Sequence, residues 1–139
     1  MADIHSGTAF QNVIHQSRIP LALASARDDE HPLLAFNAGL EDLTGYSAGD
    51  AIGRNCRFLA RKAPGSDQHG TLREALSRKI GGLQAITNDR KSGEEFLNFV
   101  TVVPLYGLNG VVEYFLGSQI DVTQETDLAG HTLRLRAHR

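Results

Sequence analysis

Apolar and polar positions change their period along this chain, and the changes mark its elements. Near the N-terminus Phe10, Val13 and Ile14 fall at i, i+3 and i+4, the spacing of one helical face, with Ser6 or Thr8 available as a cap. Short apolar runs at 21–25 and 32–36, separated by the polar stretch 27–31, predict two strands. Short helices are predicted over 38–45 and 47–52, with Gly45 and Gly53 as stops, followed by a helical turn over 55–60. Pro64-Gly65 marks a loop. Asp67 then caps a helix running to about residue 79 that buries Leu72, Leu76 and Ile80.

The last third changes to period two. Strands are predicted over 83–88, 95–105 and 111–122, joined by the turns 89–93 and 107–110. Two strands, several small helices and three antiparallel strands make an α+β domain. Both faces of the final strands are apolar. Phe96, Val100 and Val102 share a face with Asn98, while Leu97, Phe99 and Val103 take the other. Phe115 shares a face with Gln119, and Tyr114, Leu116 and Ile120 lie opposite. A single-layer antiparallel sheet ordinarily leaves one face to water, so here the outer face is expected to be covered by 1–18, by 122–139 or by a second subunit.

Composition adds bounds. The 139 residues suffice for one domain, and 41% hydrophobic with 22% charged residues reads as globular. A net charge of -2 gives no overall footprint for nucleic acid, and the basic end 134–139 reads as a solvated tail. Nothing approaches the ~20 apolar residues of a membrane span, and no signal peptide opens the chain, so cytoplasmic residence without membrane attachment is expected. One cysteine excludes an internal disulfide, and the six histidines form no i, i+4 pair, so no metal is expected.

That cysteine carries the candidate chemistry. A lone cysteine is ordinarily a small core hydrophobe. Cys56 instead sits between Asn55 and Arg57 in Gly53-Arg-Asn-Cys-Arg-Phe-Leu59, a polar segment suited to lining a cavity, with an adjacent cation that favours thiolate character. Asn88 and Asn98 flank one hairpin turn with matching inward parity, so they can meet across the strand pair. Together with Gln119 they offer convergent amides, the polar groups that a flat ligand rich in carbonyls and ring nitrogens requires. Leu40, Val100, Val102 and Phe115 are candidate walls of its slot, and two arginines offer forked donors to a phosphate.

The segment 53–59 resembles the signature of LOV domains, the flavin-binding subclass of PAS domains. The resemblance runs from about residue 19 to about 123. It includes Thr44-Gly-Tyr-Ser47, Asn88-Asp-Arg-Lys-Ser-Gly93, Phe96-Leu-Asn98 and Tyr114-Phe-Leu-Gly-Ser-Gln-Ile-Asp121 in family order. It implies a PAS fold, an antiparallel five-stranded sheet with short helices enclosing a flavin pocket. It divides the chain into an N-terminal helical cap (1–18), the core (19–123) and a C-terminal extension (124–139).

The resemblance also implies roles. Cys56 is the residue whose sulfur bonds reversibly to the flavin C4a carbon after light absorption. Arg57 and Arg73 hold the flavin phosphate, with Arg61 a third candidate, which makes FMN the expected cofactor. Asn88, Asn98 and Gln119 bind the polar ring edge, and Asn55 lines the pocket. Departures from the family occur at Ala60 and Arg61, where a glutamine and a glycine are usual, at His31 in place of an asparagine, and at Leu40 in place of a phenylalanine. The implied protein is a short LOV blue-light photoreceptor without enzymatic activity, expected as a homodimer that signals through its terminal segments or its association, to a downstream protein not identified by the sequence. Two alternatives stay open at this stage. A flavin-binding redox protein would turn over a diffusible substrate, and a PAS ligand-binding or dimerisation module would be colourless when purified.

Overall fold

The computed structural model describes residues 9, 11–59 and 70–123, with only the backbone described at 70 and 71. The expectations placed on Ser6, Thr8, Phe10, Arg61, the Pro64-Gly65 turn, the Asp67 cap and residues 124–139 lie outside the described residues. The core is one antiparallel sheet of five strands in the order β2-β1-β5-β4-β3. β1 is Leu21–Ser25, β2 Leu33–Phe36, β3 Gly82–Asp89, β4 Glu95–Tyr106 and β5 Val112–Asp121. Between β2 and β3 stand α2 (Ala38–Thr44), α3 (Ala48–Ala51), a 3-10 turn (Cys56–Leu59) and α4 (Gly70–Ser77). A first helix, α1, occupies residues 11–16. The predicted order and type of elements hold, and the fold is the α+β PAS arrangement.

Local chemistry explains the boundaries of the short helices. Asn37 caps α2 by accepting from the Leu40 N–H, and Gly45 ends it at φ 78°, a left-handed conformation that costs glycine nothing. Ser47 and Asp50 form a reciprocal capping box on α3. α4 stops earlier than predicted. Lys79 adopts φ 57° and the Ile80 N–H reaches back to the Ala75 carbonyl, so the chain leaves the helix before Ile80 can turn inward. Ile80 is accordingly 44% exposed, which corrects the expectation that it is buried, while Leu72 and Leu76 do pack inward.

The inner face of the sheet carries two apolar clusters. Leu72 and Leu76 of α4 pack on Ile86, Val100, Val102 and Phe115, while Leu40 and Ala51 pack on Ala22, Leu33 and Phe36. The outer face is partly covered. Ile14 of α1 is buried against Leu23 and Ala35, with Leu21, Leu105, Tyr114 and Leu116 around them. Val13 points away at 63% exposure, so the short helix buries one of its two described apolar positions rather than both. Leu83, Val103 and Ile120 stay exposed on the same outer face.

Asn37 joins these layers. Its side-chain nitrogen donates to the carbonyls of Ile14 (2.9 Å) and Ile19 (2.8 Å). Its oxygen accepts from Leu21 (3.0 Å) and Leu40 (3.1 Å). One buried amide thereby fixes the end of α1, the entry to β1 and the start of α2. Gly39 sits under the same crossing, where a Cβ would lie 2.9 Å from the Arg18 carbonyl oxygen. Asn37→Ala leaves several buried backbone groups unpaired, so it should destabilise the fold by ~3 kcal/mol. Urea unfolding should show a lowered midpoint at unchanged slope. A midpoint within experimental error of wild type would remove Asn37 from this role.

Candidate functional site

The site is assembled from one turn and three strands. The Gly53 N–H donates to the Leu33 carbonyl (2.8 Å) and the Leu33 N–H donates to the Arg54 carbonyl (2.9 Å), which docks the segment before Cys56 onto β2. Asn55 then starts the 3-10 turn, its side-chain oxygen accepting from the Arg57 N–H at 2.8 Å. Cys56 opens that turn over the inner face of the sheet. On the sheet, Asn98 pairs in register with Ile86 of β3 and Asp121 of β5, so Asn88 and Gln119 are its inward-facing diagonal neighbours. Asn98 Nδ2 donates to Asn88 Oδ1 (2.9 Å) and to Gln119 Oε1 (2.7 Å). Gln119 Nε2 in turn lies 3.7 Å from Cys56 Sγ.

These groups line a cavity of about 430 Å³, within the ~300–1,000 Å³ typical of small-molecule sites. Cys56, Asn55, Arg57, Arg73, Asn88, Asn98, Val100, Val102, Phe115 and Gln119 all reach its surface. Leu40 does not. It is fully buried in the cluster that also packs Cys56, so it supports the turn from behind instead of walling the slot. The sequence reading missed Ala22, Ala24 and Gly117. Their signal was available in the parity: small residues at inward positions of adjacent strands β1 and β5 leave the volume that a ligand fills. It also missed Lys79, whose Nζ donates to the Ala26 carbonyl at 2.5 Å, and Asp29.

The cavity has distinct ends. Arg57, Arg73, Lys79, Asp29 and His31 form a charged and polar group among its lining. His31 holds φ 49°, bonds the Ser25 carbonyl through Nδ1 (3.1 Å), which requires the proton on that nitrogen, and stands edge-on to Phe115. The amide end is deeply buried, with Asn98 fully enclosed. Asn98 Oδ1 has no hydrogen-bond partner, an expensive arrangement for a buried acceptor and a sign of a ligand donor to come. A planar ligand bearing an N–H between carbonyls fits that orphan acceptor and its flanking amides.

The thiol behaves differently from the sequence expectation. Burial pushes the Cys56 pKa up from 9.0 to about 11, against a smaller lowering by the Gln119 hydrogen bond. The neighbouring cation does not offset this, because the Arg57 guanidinium pairs with Glu30 at 2.7 Å on the exposed side of the turn. Cys56 is therefore a neutral thiol at physiological pH, which corrects the expectation of thiolate character.

Comparison with known proteins finds relatives that match most of the chain. The PAS domain family matches residues 20–124. Blue-light-activated histidine kinase 1 of Erythrobacter litoralis is 35% identical over 114 residues, which cover 82% of this chain and 32% of that protein. The blue-light photoreceptor of Listeria innocua is 32% identical over 112 residues, covering 81% of this chain and 44% of its own length. This chain thus spans less than half the length of either relative. The crystal structure of the Rhodobacter sphaeroides LOV protein superposes with a TM-score of 0.78 at 30% identity, covering 91% of this chain and 75% of that one.

A raised thiol pKa has a direct kinetic consequence, since the thiolate is the nucleophile. Alkylation of Cys56 by iodoacetamide in the dark should be slow at pH 8 and should still be accelerating past pH 10, with its half-point near the value of about 11. A rate that levels off by pH 9 would mean that the sulfur is less desolvated than its surroundings indicate.

Proposed function

The chain belongs to the PAS domain family and is of the LOV type, and from that premise we propose that it is a blue-light photoreceptor that binds FMN and bonds it reversibly to Cys56. The contact that carries this reading is Gln119 Nε2 to Cys56 Sγ at 3.7 Å, which brings the thiol to the buried amide cluster across 63 residues of chain. When bound, a flavin supplies blue-light absorption and an electron-poor ring carbon, C4a. Every other element of the reading belongs to the protein.

Asn88, Asn98 and Gln119 hold the carbonyl and N–H edge of the ring, with Asn98 Oδ1 the acceptor for the ring N–H. Val100, Val102 and Phe115 flank its apolar faces. Arg57 and Arg73 take the terminal phosphate, with Arg61 as a third cation. Asn55 keeps Cys56 in place, since its polar atoms engage the Arg57 N–H and the Glu30 carbonyl. As a neutral thiol, Cys56 would bring both the sulfur and the proton that addition to a bound flavin requires, with no outside acid. The Gln119 amide can donate or accept, so by turning end for end it would answer a change in the protonation of a bound flavin.

From Gln119 the path leads along β5 to its exit. There the Arg90 guanidinium pairs with Asp121 (2.7 Å), and Leu97 of β4 bonds Thr123 Oγ1 and receives the Val122 N–H. A changed Gln119 biases that junction and, through it, residues 124–139. The exposed outer residues Val103 and Ile120 are the contact for a second copy, and dimer or tail then addresses a downstream protein. This role is sensory.

The purified protein should be yellow, with a structured blue band that bleaches under blue light and recovers in the dark. Cys56→Ala should keep the band and lose the bleach, since alanine offers no sulfur. A colourless wild-type protein, or a variant that bleaches and recovers normally, would overturn the reading. Ile120→Lys tests the dimer without disturbing Ile14, because Ile120 is 45% exposed and lies outside the α1 contact. Light scattering should show weakened association for this variant. Identical mass for wild type and variant in dark and light would remove that interface.

A further inference from the structure

Beside the main cavity, in an outer hollow that shares Asn55 and Arg57 with it, stands an acid that the reading above leaves unused. Glu30, in the loop between β1 and β2, places its Oε1 2.7 Å from Arg57 Nη2, while its backbone carbonyl accepts from Asn55 Nδ2 at 2.6 Å. The loop itself holds Glu30 there. Asp28 Oδ1 accepts from the Glu30 N–H (2.9 Å), the Asp28 carbonyl accepts from the His31 N–H (2.9 Å), and His31 turns the chain at φ 49°. The loop thus fixes the backbone of Glu30 beside Arg57, within reach of its side chain.

Arg57 has two environments. It lines the main cavity with Arg73 and Lys79, and it also lines a shallow outer hollow with Glu30, Arg54 and Phe58. Its guanidinium is a planar fork of five N–H donors, and the Glu30 pair holds it toward the outer hollow, so Glu30 and a phosphate in the main cavity pull it in different directions. The Glu30 pair lies in water, with side chains 62% and 72% exposed, so it is weak and screened by salt. A second carboxylate, Asp29, lines the cavity next to it.

We propose that Glu30 is a specificity-determining residue: it competes with the flavin phosphate for Arg57 and so sets how far the site prefers a phosphorylated flavin to an unphosphorylated one. This rests on the flavin reading above. A phosphate entering the cavity mouth draws Arg57 off Glu30 and leaves that carboxylate unpaired beside a new anion. Riboflavin leaves the ion pair intact. The preference for FMN is therefore smaller than the cations Arg57, Arg73 and Lys79 would produce alone.

Dissociation constants for FMN and riboflavin, read from flavin fluorescence in low and high salt, test this in wild type, Glu30→Gln, Arg57→Ala and the double variant. Glu30→Gln keeps the backbone bonds of the loop. It should raise the preference for FMN over riboflavin by ~2–5-fold at low salt, with riboflavin affinity unchanged, the size expected of an exposed ion pair. The gain should shrink in high salt and largely disappear when Arg57 is alanine. An unchanged or lowered preference in Glu30→Gln overturns the proposal, and so does an equal gain in the Arg57→Ala background. In both of those cases flavin still binds and the photoreceptor reading stands. Wild-type protein that binds neither flavin overturns both.

Discussion

The register of β3, β4 and β5 is the constraint on which the site depends. Asn98 lies opposite Ile86 on one side and Asp121 on the other, and this alone makes Asn88 and Gln119 its inward diagonal neighbours. Side chains alternate faces along a strand, so a slip of β4 by one residue would turn Asn98 to the outer face and put Leu97 or Phe99 between Asn88 and Gln119. The hairpin turns hold the register from the ends. Gly93 and Gly110 adopt φ 93° and 79°, conformations open to glycine, and the Arg90 N–H closes the first turn on the Glu94 carbonyl.

Given that register, the inner face divides into walls and a hollow. Large apolar residues of β3, β4 and β5 pack under α4, while Ala22, Ala24 and Gly117 keep the middle of the sheet low. Among the described residues, the short stretch from Gly53 to Leu59 also covers this face, held to β2 by paired backbone bonds. A cavity in so small a domain is a cost to stability. Two apolar clusters on the inner face and the Asn37 crossing on the other side carry the fold around it.

The electrostatics follow from the same geometry. The amide network lies in the dry interior, where hydrogen bonds are strong and an unpaired acceptor such as Asn98 Oδ1 is unfavourable. Charges collect on the wetter side, where Arg57 and Glu30 meet. Cys56 lies in contact with the amide end, and desolvation keeps its proton on. Arg90 links the far end of the sheet: it bonds the Leu43 carbonyl, stacks on Phe96 at 4.4 Å and pairs with Asp121. At Asp121 burial resists ionisation, but hydrogen bonds from Thr123 and Arg90 outweigh it and hold the carboxyl below its ordinary range.

Much of this was legible in the residues because the relevant rules are local. Period-two alternation marked the three long strands and their inward parity, capping residues marked α2 and α3, and the flanking asparagines announced their own meeting. The signature around Cys56 and its supporting motifs named the fold class. Other features depended on neighbours distant in the chain. Ile80 fits the apolar face of a helix by spacing, yet a left-handed Lys79 ends that helix first. Leu40 lies behind the cavity, not on it, because α2 packs against Phe36 and Leu33. Arg57 beside Cys56 suggests an activated thiolate in one dimension, but the loop between β1 and β2 turns that cation outward to Glu30 and leaves the sulfur desolvated. Sequence determines which groups are present and which face each one takes, since those follow from backbone periodicity. Only the tertiary structure decides which charge meets which and how much water each keeps, since burial and pairing belong to the whole chain at once.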